Sequence, residues 1–275
     1  MFRGRLPLAL WIAIAAAGCA LRPAAPDTEP LEGGSVWVYL AALPPGQRTP
    51  PLSNTIVAAY SNLAEAWAGQ GQTAQALDLL RRAPAELTGV DNVAERLAPT
   101  IARYELVGRP AAAIEAPVWL HAPEGTTRLD MAGGVTWLQF TAHWCGPCRE
   151  AYPAAVRLQQ QFGAKGFRVV MATQLYGYFE NRRNLPPADE IAALRGYFPK
   201  HGIIWPVAVA DASPTVIENG RPVRAVNVND ANYKVAGIPQ IHIIDRKGVI
   251  RLIMIGFDEA NEPKLRAMIE RLSAE

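Results

Sequence analysis

Two cysteines, Cys145 and Cys148, stand three positions apart in the run Trp144-Cys145-Gly146-Pro147-Cys148. In the first turn of a helix, such a pair can close as a disulfide or separate as two thiols, which is what a dithiol needs to exchange electrons with other disulfides. Unpaired backbone N–H groups and the helix dipole favour a thiolate there, so Cys145 is the candidate nucleophile and Cys148 the resolving thiol. Gly146-Pro147 limits the freedom of the turn, and Pro147 is tolerated because first-turn amides have no helical partner. A structural disulfide or half of a zinc site would use the same spacing. A structural zinc usually wants four ligands, however, and the chain holds three cysteines and four histidines with no second paired motif. Redox exchange is the preferred reading. His143, two residues before Cys145, is a candidate modulator: as a cation it would favour the thiolate, and as a solvated loop histidine it would do nothing.

Such a turn needs a strand to deliver it and a helix to receive it. The apolar run over 135–140 reads as the strand and the run over 149–162 as the helix. Far along the chain, Gly237-Ile238-Pro239 precedes a strand-like run over 240–244, a turn at Asp245-Arg246-Lys247-Gly248 and another strand over 249–255. The short apolar runs at 167–172 and 205–210 suit buried strands, and 189–201 and 261–272 have helical spacing. The sum is an α/β fold.

The stretch from Trp137 to Cys148, followed in order by Gly237-Ile238-Pro239, resembles the thioredoxin superfamily, and more closely its TlpA/ResA-like branch of extracytoplasmic thiol-disulfide oxidoreductases. The likeness covers residues 117–275. It implies a thioredoxin-like fold, a central mixed sheet flanked by helices, and here a small α-helical hairpin domain precedes it. It implies that Pro153 bends the active-site helix, where proline removes one hydrogen bond and clashes with the carbonyl of Arg149. It further implies a cis Pro239 packed against the dithiol, with Ile238 offering its backbone to a substrate strand and Trp144 shielding the sulfurs. Two positions depart from the pattern. Gln139 stands where many members carry a buried acid, and Ala151 where the branch often has Glu, with Glu150 one place early and so turned by about 100°. The long interval from Cys145 to Pro239 points to insertions at 173–187 and 212–229.

What the resemblance implies for chemistry is protein disulfide substrates and no metal or organic cofactor, the reactive group being the Cys145–Cys148 disulfide itself. Gly146-Pro147 is the dipeptide of reducing thioredoxins, near −270 mV, whereas strongly oxidising relatives lie near −120 mV. The expected direction is therefore reduction, with a membrane thiol electron donor as a second partner.

The third cysteine, Cys19, ends an N-terminal signal. Arg3 and Arg5 make a basic start, 6–17 is apolar, and Ala16-Ala17-Gly18 supplies the small residues of a cleavage site. The Cys after Ala-Ala-Gly resembles a bacterial lipobox, with Ala16 in place of the usual Leu, so Cys19 is the candidate lipid-bearing residue; the alternative is an ordinary signal peptide with a stray Cys. Either way the chain is expected on the periplasmic side, and Ala20 rather than Asp favours an outer-membrane lipoprotein. A net charge of +2 and 50% hydrophobic residues over 275 positions describe a globular chain with ample core and no polybasic surface, so no nucleic-acid partner is implied.

The expected organisation is a signal peptide at 1–18, a proline-rich tether at 19–52, a helical region at 53–112 and the thioredoxin-like domain at 113–275. Residues 54–68, 73–83 and 93–107 read as amphipathic helices, the first two resembling one tetratricopeptide repeat. A single helical pair cannot bury its own apolar face. It either covers surface on the neighbouring domain or docks a peptide. A binding or scaffold lipoprotein with a merely structural Cys145–Cys148 disulfide is the competing reading of the whole chain. The aromatic insertion Leu175-Tyr176-Gly177-Tyr178-Phe179 is either the wall of a substrate groove or a packed satellite core.

Overall fold

A computed structural model describes residues 50–218 and 221–275; the signal, Cys19 and nearly all of the expected tether lie outside the described residues. The described residues open with three helices, α1 (Pro50–Gly69), α2 (Thr73–Glu86) and α3 (Val93–Tyr104). Each has an apolar stripe at helical spacing: Ile56, Tyr60, Ala64 and Ala68 on α1, Ala76, Leu80 and Ala83 on α2, and Val93, Leu97 and Tyr104 on α3, all buried. Helix α1 begins four residues before the expected Asn54, because prolines in a first turn forgo an N–H that has no helical partner. Gly71, at φ 84°, takes the left-handed conformation that the tight turn into α2 requires.

The elements that follow are β1 (Ile114–Glu115), β2 (Val118–Leu120), β3 (Arg128–Leu129), β4 (Val135–Phe140), α4 (Gly146–Phe162), β5 (Phe167–Gln174), β6 (Tyr178–Phe179), β7 (Arg182–Arg183), α5 (Pro187–Lys200), β8 (Val207–Ala210), β9 (Thr215–Glu218), β10 (Arg221–Arg224), α6 (Val228–Tyr233), β11 (Gln240–Ile244), β12 (Ile250–Ile255) and α7 (Glu262–Ala274). Six strands form one mixed sheet in the order β12-β11-β4-β5-β8-β2. Strands β4, β5 and β8 run parallel through the crossover helices α4 and α5, while β11, β12 and β2 pair antiparallel. This is the expected mixed α/β thioredoxin-like fold, preceded by the N-terminal helices. The two insertions contain the small hairpins β6–β7 and β9–β10.

Every residue of β4 is buried, because both faces of the sheet are covered. On one face Val135, Trp137, Val169, Met171, Ile241 and Ile243 pack with α4, α5 and α7. On the other, Leu138, Phe140, Val170, Ala172, Ala208 and Ile253 share a core with the stripes of α1, α2 and α3. The helices thus cover apolar surface of the sheet. The segment after α3 straps them down: Gly108 N–H donates to Ile250 O at 2.7 Å, Ile250 N–H to Arg109 O at 3.0 Å and Ala111 N–H to Gly248 O at 2.7 Å. This pairs the outer edge of β12.

Candidate active site

Strand β4 ends at Phe140, and five residues later the chain enters α4 with Cys145 as its N-cap, in extended conformation (φ −78°, ψ 102°). The Cys145 N–H donates to Ala142 O at 3.1 Å, which tightens the turn. Cys145 and Cys148 form a disulfide with their Cα atoms 5.2 Å apart. The backbone N–H of Cys148 donates to Cys145 Sγ at 3.1 Å, so one of the orphan donors of the helix start points at the outer sulfur. Cys148 is fully buried and Cys145 nearly so. Pro147 lies in the first turn and Pro153 inside the helix.

The opposing wall comes from the other end of the sequence. The Ile238–Pro239 peptide is cis, as the resemblance implied, and it leads into β11. The carbonyl oxygen of Ile238 lies 3.6 Å from Cys145 Sγ. Pro239 O accepts from Gly256 N–H at 2.8 Å, which ties this wall to the end of β12.

Below the dithiol sits Gln139, fully buried, whose Nε2 donates to Cys148 O at 3.2 Å and whose Oε1 accepts from Trp137 Nε1 at 3.2 Å. A neutral amide, satisfied on both sides, stands where the resemblance implied a buried acid. Glu150 is exposed and Ala151 faces the core.

His143 corrects both alternatives weighed from sequence. It is neither a solvated loop residue nor a cation beside the sulfur. The ring is 5% exposed, stacks on Phe179 at 4.9 Å and meets Tyr176 and Tyr178 edge-on at 5.9 and 5.1 Å. Neither ring nitrogen has a hydrogen-bond partner. Desolvation in this aromatic box lowers its pKa to about 4, only partly offset by Glu180, so it is neutral at pH 7. The aromatic insertion expected from the long Cys145-to-Pro239 interval is therefore wrapped around the residue preceding Trp144. Trp144 itself is 47% exposed, with its ring 5.5 Å from that of Tyr176. Arg182 and Arg183 lie over Phe179 and Tyr178 at 5.9 and 4.5 Å from the ring centres.

Sequence reasoning missed a polar cleft of about 30 Å³ beside Ile238, lined in part by Thr141, Gln174, Asn227 and Asp230. Burial pushes the Asp230 carboxyl up to about 6, against the lowering effect of its hydrogen bond from Asn227 Nδ2. Asn227 also caps α6, accepting from Asp230 N–H at 3.0 Å. An isolated Asp carries no signal of its own in the sequence; the fold alone brings it to the cleft beside Ile238. All the residues singled out around the motif, His143, Trp144, Cys145, Gly146, Pro147, Cys148, Ile238 and Pro239, converge here, while Cys19 lies outside the described residues.

No family model matches the chain. Among curated proteins it is similar to the thioredoxin-like protein YneN of Bacillus subtilis, 25% identical over 133 residues, which is 48% of this chain and 63% of that protein's length. Among solved structures it is similar to one described as a thiol:disulfide interchange protein DsbE of Chlorobium tepidum, at 24% identity and TM-score 0.43 over 61% of this chain and 97% of the other. A thiol-disulfide isomerase of Corynebacterium glutamicum matches at 20% identity and TM-score 0.44 over 60% and 97%.

Proposed function

We propose that the protein is an extracytoplasmic thiol-disulfide oxidoreductase that reduces protein disulfides through Cys145 and Cys148. The observation that carries this reading is the N-cap geometry: in the reduced state the Cys148 N–H and the positive end of α4 stabilise a Cys145 thiolate. That thiolate attacks one sulfur of a substrate disulfide, forming a mixed disulfide and expelling the other sulfur as thiolate. Cys148, deprotonated, then attacks Cys145 Sγ, and the substrate leaves with two thiols while the enzyme holds the disulfide. The cycle consumes two electrons per turn, for which a membrane thiol electron donor is the proposed source. Gly146-Pro147 supports the reducing direction, the signal-like start supports export, and the lipobox-like Cys19 supports a lipid anchor on the periplasmic side.

Equilibration with glutathione buffers of known ratio tests the activity and its direction together. A potential near −270 mV is expected, and one above about −180 mV would assign disulfide formation or shuffling instead. A pair that glutathione and mild reductants leave unreduced, with no thiol to alkylate, would establish the structural-disulfide reading. Membrane fractionation of wild type and Cys19→Ala tests the anchor, since a soluble wild type removes it.

A further inference from the structure

The helical layer reaches the loop that leads to Ile238 through a buried cation. Arg103, on α3, is 3% exposed, although the core shared by the helices and this face of the sheet is largely apolar. Its charge is met by Glu65 of α1, with Nη1 to Oε1 at 3.0 Å. Its Nε is committed elsewhere, donating to the carbonyl of Lys234 at 3.2 Å across 131 residues of sequence. Lys234 is the C-cap of α6, left-handed at φ 51°, and the chain that leaves it arrives four residues later at Ile238. A helix C-terminus ends in unpaired carbonyls, and a buried guanidinium is a strong donor for one of them.

The rest of that loop is pinned from the sheet. Gln240 Nε2 donates to Tyr233 O at 2.9 Å, and its Oε1 accepts from Ala236 N–H at 3.3 Å. The same Nε2 lies 3.0 Å from Nε2 of the fully buried His242, which therefore accepts. Sheet contacts thus hold Tyr233 and Ala236, while Lys234 is held from the N-terminal helices. Beyond Ala236 the loop's next described polar contact toward the site is Ile238 O against Cys145 Sγ at 3.6 Å.

We propose that Arg103, braced by Glu65, is a positioning residue of the active site: it sets the distance between the Ile238 carbonyl and Cys145 Sγ from the far side of the sheet. The inference rests on the oxidoreductase reading and adds to it a tuning element supplied by the helical layer. The physical link is electrostatic. The negative end of the Ile238 carbonyl faces the sulfur and opposes a thiolate there, so a loop released from Arg103 and relaxing away favours the thiolate and stabilises the reduced dithiol.

The full chain, as wild type, Arg103→Met, Arg103→Lys and Glu65→Gln, is equilibrated in one glutathione buffer, and the Cys145 pKa is read from thiolate ultraviolet absorbance. In Arg103→Met the oxidised-to-reduced ratio is expected to fall about threefold and the pKa by about half a unit, the equivalent of that ratio. Arg103→Lys, whose ammonium reaches one partner but not both, should lie between the two. A variant that loses thermal stability but keeps the wild-type ratio and pKa overturns the proposal and leaves Arg103 a packing brace. If Arg103→Met fails to fold, Arg103→Lys and Glu65→Gln carry the test, and wild-type values in both overturn it. A wild type that does not equilibrate with glutathione at all would instead overturn the oxidoreductase reading.

Discussion

The two faces of the sheet are covered by different means. Helices α4, α5 and α7 are tied into the sheet by its own strands, and the first two are crossovers whose place follows from the parallel strands they join. Helices α1, α2 and α3 precede every strand among the described residues, and their place is set by burial and by the strap of residues 108–111 along β12. The first face carries the dithiol and the second carries Arg103. The lesson is that a segment with no redox chemistry of its own shares a hydrophobic core with the sheet that carries the chemistry, because a fully buried strand such as β4 needs apolar cover on both sides.

The severest way to break this comparison is to remove one cover. A chain starting at Ala113 exposes Leu138, Phe140, Val170, Ala172, Ala208 and Ile253 together. We expect it to be insoluble, or to bind a hydrophobic dye and lose its cooperative melt. A cooperative, monomeric fragment that still reduces disulfides would show that the helices are an appendage.

A milder comparison is one substitution per face. Leu97→Ala on α3 and Leu158→Ala on α4 both truncate fully buried side chains, and each is expected to cost about 2–5 kcal/mol in denaturant unfolding. A cost below about 1 kcal/mol for Leu97 alone would mean that the second face is loosely packed. Chemistry should divide the other way. Cys148→Ser, which keeps the outer sulfur and loses the resolving one, should accumulate mixed disulfides on non-reducing gels, and Cys145→Ser should trap little.

Acid sharpens the comparison further, because each face buries one neutral histidine. Burial, reinforced by Arg103, holds the His242 pKa at about 3, and the aromatic box holds His143 at about 4. Both values lie below the 6.5 of an unfolded histidine, so the unfolded chain binds more protons below pH 6.5. Stability contributed by each ring is full above that pH and is lost progressively as pH falls toward the folded pKa. For His242 this loss is about 2 kcal/mol at pH 5. His242→Gln and His143→Gln should each flatten the fall in melting temperature between pH 7 and 5 by a similar amount, since both folded values lie below pH 5, and an unchanged slope in both would show that other groups drive acid unfolding. The smallest effect belongs to Trp144→Ala, at a half-exposed site, where stability should change by no more than about 0.5 kcal/mol. A slower exchange with protein substrates at unchanged stability would mark the ring as part of the docking surface.

The sequence by itself determined the local features. The strand over 135–140, the helix that receives the dithiol, the turn at Asp245–Gly248 and the apolar stripes of all three N-terminal helices follow from periodicity, turn chemistry and proline tolerance, which act between residues a few positions apart. Pairing Cys145 with Cys148 needed their spacing and the lack of a second paired motif, and the cis Pro239 opposite them was reached by resemblance. Tertiary structure decided everything that depends on burial or on distant partners. It made His143 a neutral ring, because Tyr176, Tyr178 and Phe179 fold back over it from an insertion some thirty residues on. It brought Asp230 to the cleft beside Ile238 and laid Arg103 against Lys234, separated from it by 131 positions. A side chain's charge state and its long-range hydrogen bonds depend on the water that folding removes and the groups that folding brings near, and neither is written in the neighbouring residues.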